Sequence, residues 1–225
     1  MDSPLNTSQR FLATAYDSVA NLIEKVYPAV KGAPRRGRLT DPEQDVFRSA
    51  VVFAGAGVDT TLKQALRDAA PLQASFSKEG RAQFQRWVTG YIQQSNAVDA
   101  KKVSALLIAE PNPARELQRL YIEQLTDHSL QSQDQVKATL VALGLEGSKA
   151  LFRDSSVVNP LFKARNEIAH AMDMTDHAAR GVGDRTRNDR KIETYVNICH
   201  AGLDYCQRVL NALQTSLDDN PEIIW

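Results

Sequence analysis

The segment Arg165-Asn166-Glu167-Ile168-Ala169-His170 carries the side chains with the clearest chemical capacity in this 225-residue chain. In a helix Asn166 and His170 lie four residues apart on one face, and Arg165 stands beside Asn166, within a turn and a half of His170. A cation, an amide and an imidazole so grouped can grip a phosphate in two-pronged fashion, orient it and move a proton. Those are the needs of phosphodiester cleavage by an RNA 2′-hydroxyl, a scheme that uses no metal and no cofactor. The candidate catalytic residues are therefore His170 as general base or acid, Arg165 as phosphate ligand and charge stabiliser, and Asn166 as the group that positions them. The competing reading is an ordinary polar helix face with His170 hydrogen-bonded in the interior.

Several other residues stand as candidates around this segment. Asp59 is a possible supporting carboxylate that orients His170 or Arg165, or else a buried structural ion-pair partner of an arginine. Arg180, Arg185, Arg187, Arg190 and Lys191 are only partly offset by Asp184 and Asp189, so this stretch is either an RNA-binding loop or simply a solvated one. The basic linker Arg35-Arg36-Gly37-Arg38 reads as an RNA contact or a flexible tether. Asp173, Asp176 and His177 have no second His or Cys at ligand spacing, and no metal site is expected.

Helices must position these groups, because apolar residues recur every three and four positions and period-two alternation is missing. The fold class expected is all-α, in one domain over 1–225. A first helix spans 8–27, with Phe11, Ala15, Val19, Leu22, Ile23 and Val26 on one face and Pro28 as its stop. Asp41 offers an N-cap, with Pro42 first in a long helix over 42–69 that buries Phe47, Ala50, Val51, Ala54, Val58, Leu62 and Leu66. The run Ala54-Gly55-Ala56-Gly57 within it invites close packing by a neighbour.

Shorter helical segments follow over 78–150, with apolar positions at Phe84, Trp87, Val88, Tyr91 and Ile92, then at Val103, Leu106 and Leu107. Asn112-Pro113 opens a segment carrying Leu117, Leu120, Tyr121 and Leu125; a Ser132-x-x-Gln135 capping box precedes Val136, Leu140 and Leu143, and Gly144 ends that helix. Asn159-Pro160 caps the motif helix, which ends near 172 and has Leu161, Phe162, Ile168, Ala169 and Met172 on its apolar side. After a loop over 173–189, a last helix over 190–217 places Ile192, Val196, Cys199, Leu203, Cys206, Leu210 and Leu213 in a near-heptad stripe. That stripe suits an antiparallel bundle partner or a dimer seam.

Composition narrows the function classes. Lys plus Arg and Asp plus Glu number 27 each, so any nucleic-acid site must be a local patch. Met1-Asp2-Ser3-Pro4 lacks a basic n-region followed by an apolar stretch, and no window approaches the roughly 20 apolar residues of a spanning helix. A soluble, cytoplasmic protein with no membrane partner is the expectation. Cys199 and Cys206 lie about 10.5 Å apart along a helix axis, too far to pair, and read as core residues. P-loop, Rossmann, nucleophile-elbow and zinc-ligand patterns are missing.

Arg165-Asn166-x-x-x-His170 resembles the R-x4-6-H motif of HEPN (higher eukaryote and prokaryote nucleotide-binding) nucleases. Arg48 to Asp59, with Ala54-Gly55-Ala56-Gly57 inside it, is similar to the family's helix of small and apolar residues ending in an acid. The likeness covers the helices over 42–69, 159–172 and 190–217, with 78–150 as a helical insert, and prokaryotic proteins of the RiboL-PSP-HEPN type are the nearest resemblance. It implies a HEPN-like helical bundle and a metal-independent endoribonuclease that cleaves single-stranded RNA. It further implies a homodimer with a composite active site, a toxin or antiviral-defence role, and an antitoxin or regulatory protein as partner. The dimer also answers a chemical need, since one motif supplies one His and transesterification uses a base and an acid; His128, His177 and His200 are the in-chain alternatives. Two other classes remain open: a non-catalytic HEPN-like module that binds nucleotides, RNA or protein, and a helical interaction protein that assembles through its last helix and the tail Ile223-Ile224-Trp225.

Overall fold

The computed structural model describes residues 3–31, 38–93, 104, 108, 112–175 and 187–219. Among them the elements are α1 (Asn6–Asn21), a π-helical turn (Leu22–Val26), α2 (Tyr27–Val30), α3 (Asp41–Phe76), α4 (Lys78–Gln93), α5 (Pro113–Thr126), α6 (Gln133–Ala142), α7 (Lys149–Asp154), a 3-10 turn (Ser155–Val158), α8 (Asn159–Ala171) and α9 (Ile192–Asp218). An isolated bridge between Met174 and Arg187 is the one strand-like pairing among the described residues, so the fold is all-α.

The axis of the fold is α3, about 54 Å long at 1.5 Å per residue. It starts at Thr40 rather than Asp41. The Thr40 hydroxyl accepts from the Glu43 N–H and the Glu43 carboxylate accepts from the Thr40 N–H, a complete capping box, which leaves Asp41 and Pro42 inside the first turn. The helix also runs through Pro71 to Phe76, past the expected end near 69. The turn beyond Pro71 buries Gln73 and Ala74, where α4 folds back so closely that a Cβ on Gly80 would lie 2.5 Å from the Gln73 carbonyl oxygen. That packing offsets the roughly 3 kcal/mol that proline costs inside a helix.

Hydrogen bonds at opposite ends give the helix directions. Ser8 bonds to Asp68, Ser3 to Gln214 and Tyr16 to Asp204, so α1 runs antiparallel to both α3 and α9. The near-heptad stripe of α9 thus has its antiparallel partner in α1, while the residues it shares with α3, Tyr195 with Gln44 and Ser216 with Gln73, run parallel. Cys199, Leu203, Cys206, Leu210 and Leu213 are all buried there. Burial pushes both thiols up to about 12, as expected of core cysteines.

Other expectations shift by a fraction of a turn. The buried stripe of α1 is Leu5, Ser8, Leu12, Ala15 and Val19, whereas Phe11 is 41% and Val26 40% exposed. Pro28 sits within the first turn of α2 and starts it rather than ending the helix before it. Gly144, at φ 70°, terminates α6 as expected. Tyr121, Leu130, Val136, Leu140 and Leu143 belong to the same apolar cluster as α1, α3 and α9, so the described part of 78–150 is woven into the main core. Val103, Leu106 and Leu107 lie outside the described residues.

Candidate functional site

The motif helix α8 follows directly on the 3-10 turn, so Asn159 is its first residue and not its cap; the Asn159 amide donates to Gln133 Oε1 instead. Leu161, Phe162 and Ala164 form the buried side of α8, while Ala169 and Met172 are exposed, Met172 by 64%. The apolar side of the helix lies mostly in its first half, with Ile168 partly buried against the core as expected. Its second half presents polar and small residues outward.

Two anchors fix α8 antiparallel to α3. At the first, Arg165 lies across Gly55: a Cβ there would be 2.9 Å from Arg165 Cγ and 3.3 Å from Arg165 Cβ. The small-residue run of α3 divides its tasks, for Gly57 admits Ala15 of α1 and Gly55 admits the motif arginine. Arg165 Nη1 donates to Gln131 Oε1 at 2.7 Å and to Asn166 Oδ1 at 3.0 Å, whereas its buried Nε has no hydrogen-bond partner. His170 is exposed, one turn beyond Asn166 on the same face, with no hydrogen-bond partner among the described residues. The structure thus holds Arg165 and Asn166 in contact and leaves the imidazole exposed. Interior burial of His170 does not occur.

The second anchor joins residues far apart in the chain. Met172 and Asp173 both adopt left-handed backbone, at φ 52° and 59°, a conformation that costs a non-glycine residue about 1–2 kcal/mol. The turn brings the wholly buried Asp173 carboxylate to Arg48 Nε at 2.9 Å, Arg190 Nη1 at 2.6 Å and Asn188 Nδ2 at 3.0 Å. Arg48, itself only 2% exposed, also donates to Gln44, Asp45 and the Asn188 carbonyl. Arg190 reaches back to Glu167, inside the motif, at 2.6 Å. Burial disfavours the charge on Asp173, but the hydrogen bonds from Arg190, Arg48 and Asn188 outweigh it and hold its carboxyl below the usual range. Sequence carried one signal of this network: Arg48 sits between Phe47 and Val51 on a face that had to be buried, so it needed an anion. The identity of that anion lay 125 residues away.

The remaining candidates separate. Asp59 has no bond to Arg165 or His170; it accepts the Leu130 N–H at 2.5 Å and pairs with Lys63 at 3.2 Å. Arg187 pairs with Asp45 at 2.8 Å and donates to the Met172 carbonyl, and Arg190 is engaged as above. Both tie the end of the 173–189 loop to the protein. Lys191 is exposed just before α9. Arg180, Arg185, Asp176 and His177 lie outside the described residues, as do Arg35, Arg36 and the tail from 220. His128 and His200 are exposed on other segments. Among the described residues no three His, Cys, Asp or Glu side chains converge as metal ligands, and no helix is long and apolar enough to cross a membrane. A surface cleft lined by Arg67, Trp87, Tyr91, Glu123 and Asp127 contains no motif residue, and its two carboxylates oppose a polyanion.

Fold and site together define an all-α protein with a braced Arg–Asn pair and an exposed histidine on one helix. No family model, no curated protein and no solved structure matches the chain.

Proposed function

We propose that the protein is a metal-independent endoribonuclease of the HEPN type, cutting single-stranded RNA by attack of the 2′-hydroxyl on the adjacent phosphate. The observation that carries this reading is the arrangement on α8, where Arg165 is braced against Asn166 and His170 stands exposed one turn on. In the reaction His170 takes the proton of the attacking 2′-hydroxyl. Arg165 binds the scissile phosphate and stabilises its added negative charge, and Asn166 holds the guanidinium in register. The leaving 5′-oxygen needs a proton donor, which His170 of a second copy supplies in a composite homodimeric site. The products are a 2′,3′-cyclic phosphate and a 5′-hydroxyl. Such an enzyme suits a cytoplasmic toxin or antiviral effector restrained by an antitoxin or regulatory protein.

A second reading has its own observation. Arg165 is half-buried and its Nη1 is already shared between Gln131 and Asn166, which suits a non-catalytic module that binds RNA through the same surface. The deciding experiment incubates the purified protein with labelled single-stranded RNA and total cellular RNA in EDTA, alongside His170→Ala and Arg165→Ala, with binding measured in parallel. Cleavage by the wild type alone, with cyclic phosphate ends, supports the nuclease. RNA binding without cleavage favours the second reading, and equal cleavage by the variants refutes the assigned site.

A further inference from the structure

We infer that Gln131, in the turn between α5 and α6, is a positioning residue for Arg165, and that Asp59 acts on the site only through that turn. This rests on the nuclease reading and adds to it a residue from outside the motif and its flanking helices.

Arg165 Nη1 donates its shortest bond, 2.7 Å, to Gln131 Oε1, against 3.0 Å to its neighbour Asn166. An arginine side chain has several rotatable bonds, so a single acceptor on its own helix does not fix where the guanidinium points; a second acceptor from another element does. Gln131 is itself held from two directions. The Leu130 N–H donates to Asp59 Oδ1 on α3 at 2.5 Å, and the Gln131 N–H donates to Gln135 Oε1 in the first turn of α6 at 2.8 Å. Gln135 thereby serves the residue before the cap, while Ser132 caps α6 through the Gln135 N–H at 3.2 Å. Leu130 is buried beneath the turn. Gly55, one helical turn before Asp59, admits the stem of Arg165.

The stem of Arg165 is therefore seated on Gly55, and its guanidinium is held along the Nη1 side by Gln131 and Asn166. Its Nε donor stays buried without an acceptor. Unsatisfied buried donors are rare exceptions in folded proteins, and the Nε and Nη2 edge of arginine is suited to take two oxygens of a phosphate side by side. Engaging Nη1 with two acceptors fixes the direction in which that edge faces. A carboxylate in place of Gln131 would neutralise the cation; a neutral amide orients it and leaves its charge for the phosphate.

The test uses the full chain and two readouts. Gln131→Met keeps the length of the side chain and removes the acceptor, and Asp59→Asn weakens the anchor of the turn. The first readout is the side-chain Nε–Hε NMR signal of Arg165, identified by its loss in Arg165→Lys. The second is kcat and KM on single-stranded RNA. We expect Gln131→Met to collapse the Arg165 signal towards the bulk arginine position and to lower kcat at least tenfold, with KM within threefold of the wild type. Asp59→Asn should shift both in the same direction, and the double variant should be no worse than Gln131→Met alone. An unchanged Arg165 signal or unchanged kcat in Gln131→Met overturns the role of Gln131, and additive losses in the double variant overturn the route from Asp59. Should the wild type cut no RNA, the nuclease reading fails, and the NMR signal still decides whether Gln131 positions Arg165.

Discussion

Asp173→Asn removes one negative charge from the most deeply buried ionic cluster among the described residues while changing almost nothing else. Asparagine has nearly the same shape and tolerates left-handed backbone as well as aspartate does, so the φ of 59° adds no penalty. What is lost is the anion that receives Arg48 at 2.9 Å and Arg190 at 2.6 Å, with an amide NH2 now turned towards cationic donors. Breaking a buried pair by deleting one partner costs about 3–5 kcal/mol. Arg48 keeps Asp45 and Arg190 keeps Glu167, which places the loss at the lower end, about 3 kcal/mol. With an m-value of about 2 kcal/mol/M, the urea midpoint should fall by roughly 1.5 M at pH 7.

The pH dependence carries the sign. A carboxyl held low in the folded state stabilises it above the unfolded value of about 3.9 and loses that contribution as pH falls through the folded value. The stability gap between wild type and variant should be constant from pH 7 to about 5 and shrink below about 4. Glu116 and Asp154, held low by Arg119 and Arg208, titrate in both proteins and cancel in the difference. A gap under about 1 kcal/mol at pH 7, or one unchanged at pH 3, would show that the cluster does not hold the end of α8.

Gly55→Ala sets a helix-propensity gain of about 1 kcal/mol against a contact of 2.9 Å with Arg165 Cγ. The melting temperature should stay within a few degrees while the proposed RNA cleavage falls at least tenfold. Gly57→Ala meets Ala15 Cβ at 2.2 Å, with no flexible atom to yield, and should lose about 2 kcal/mol in urea denaturation. Thr40→Ala should cost about 1 kcal/mol by removing the side-chain half of the capping box, whereas Asp41→Ala should change stability by less than half of that.

The chain's own pattern was enough to specify helices, because three-and-four spacing of apolar residues is a local property and each helix closes its hydrogen bonds within itself. It also marked α8 as the segment with candidate chemistry, since Arg165, Asn166 and His170 are near neighbours whose relative placement the helix repeat sets. Where a rule depended on register, the shift is one residue: Thr40 and not Asp41 caps α3, and Leu12 and not Phe11 is buried, because either register satisfies the local pattern and only the neighbouring helix chooses. Pro71 was passed over by α3 for the same reason, as burial of Ala74 came from a partner the local sequence does not reveal.

Tertiary structure alone decided which polar groups meet. Arg48 finds Asp173 across 125 positions, and Arg165 finds Gln131 across 34. Nothing in the spacing of those residues encodes such pairs. They arise when α3, α8 and the turn before α6 close on one another, and hydrogen bonds then form among whichever groups the apolar packing has brought within reach. The sequence by itself thus determined the helices and the candidate chemistry on α8, and the packing around α3 decided how its arginine is aimed.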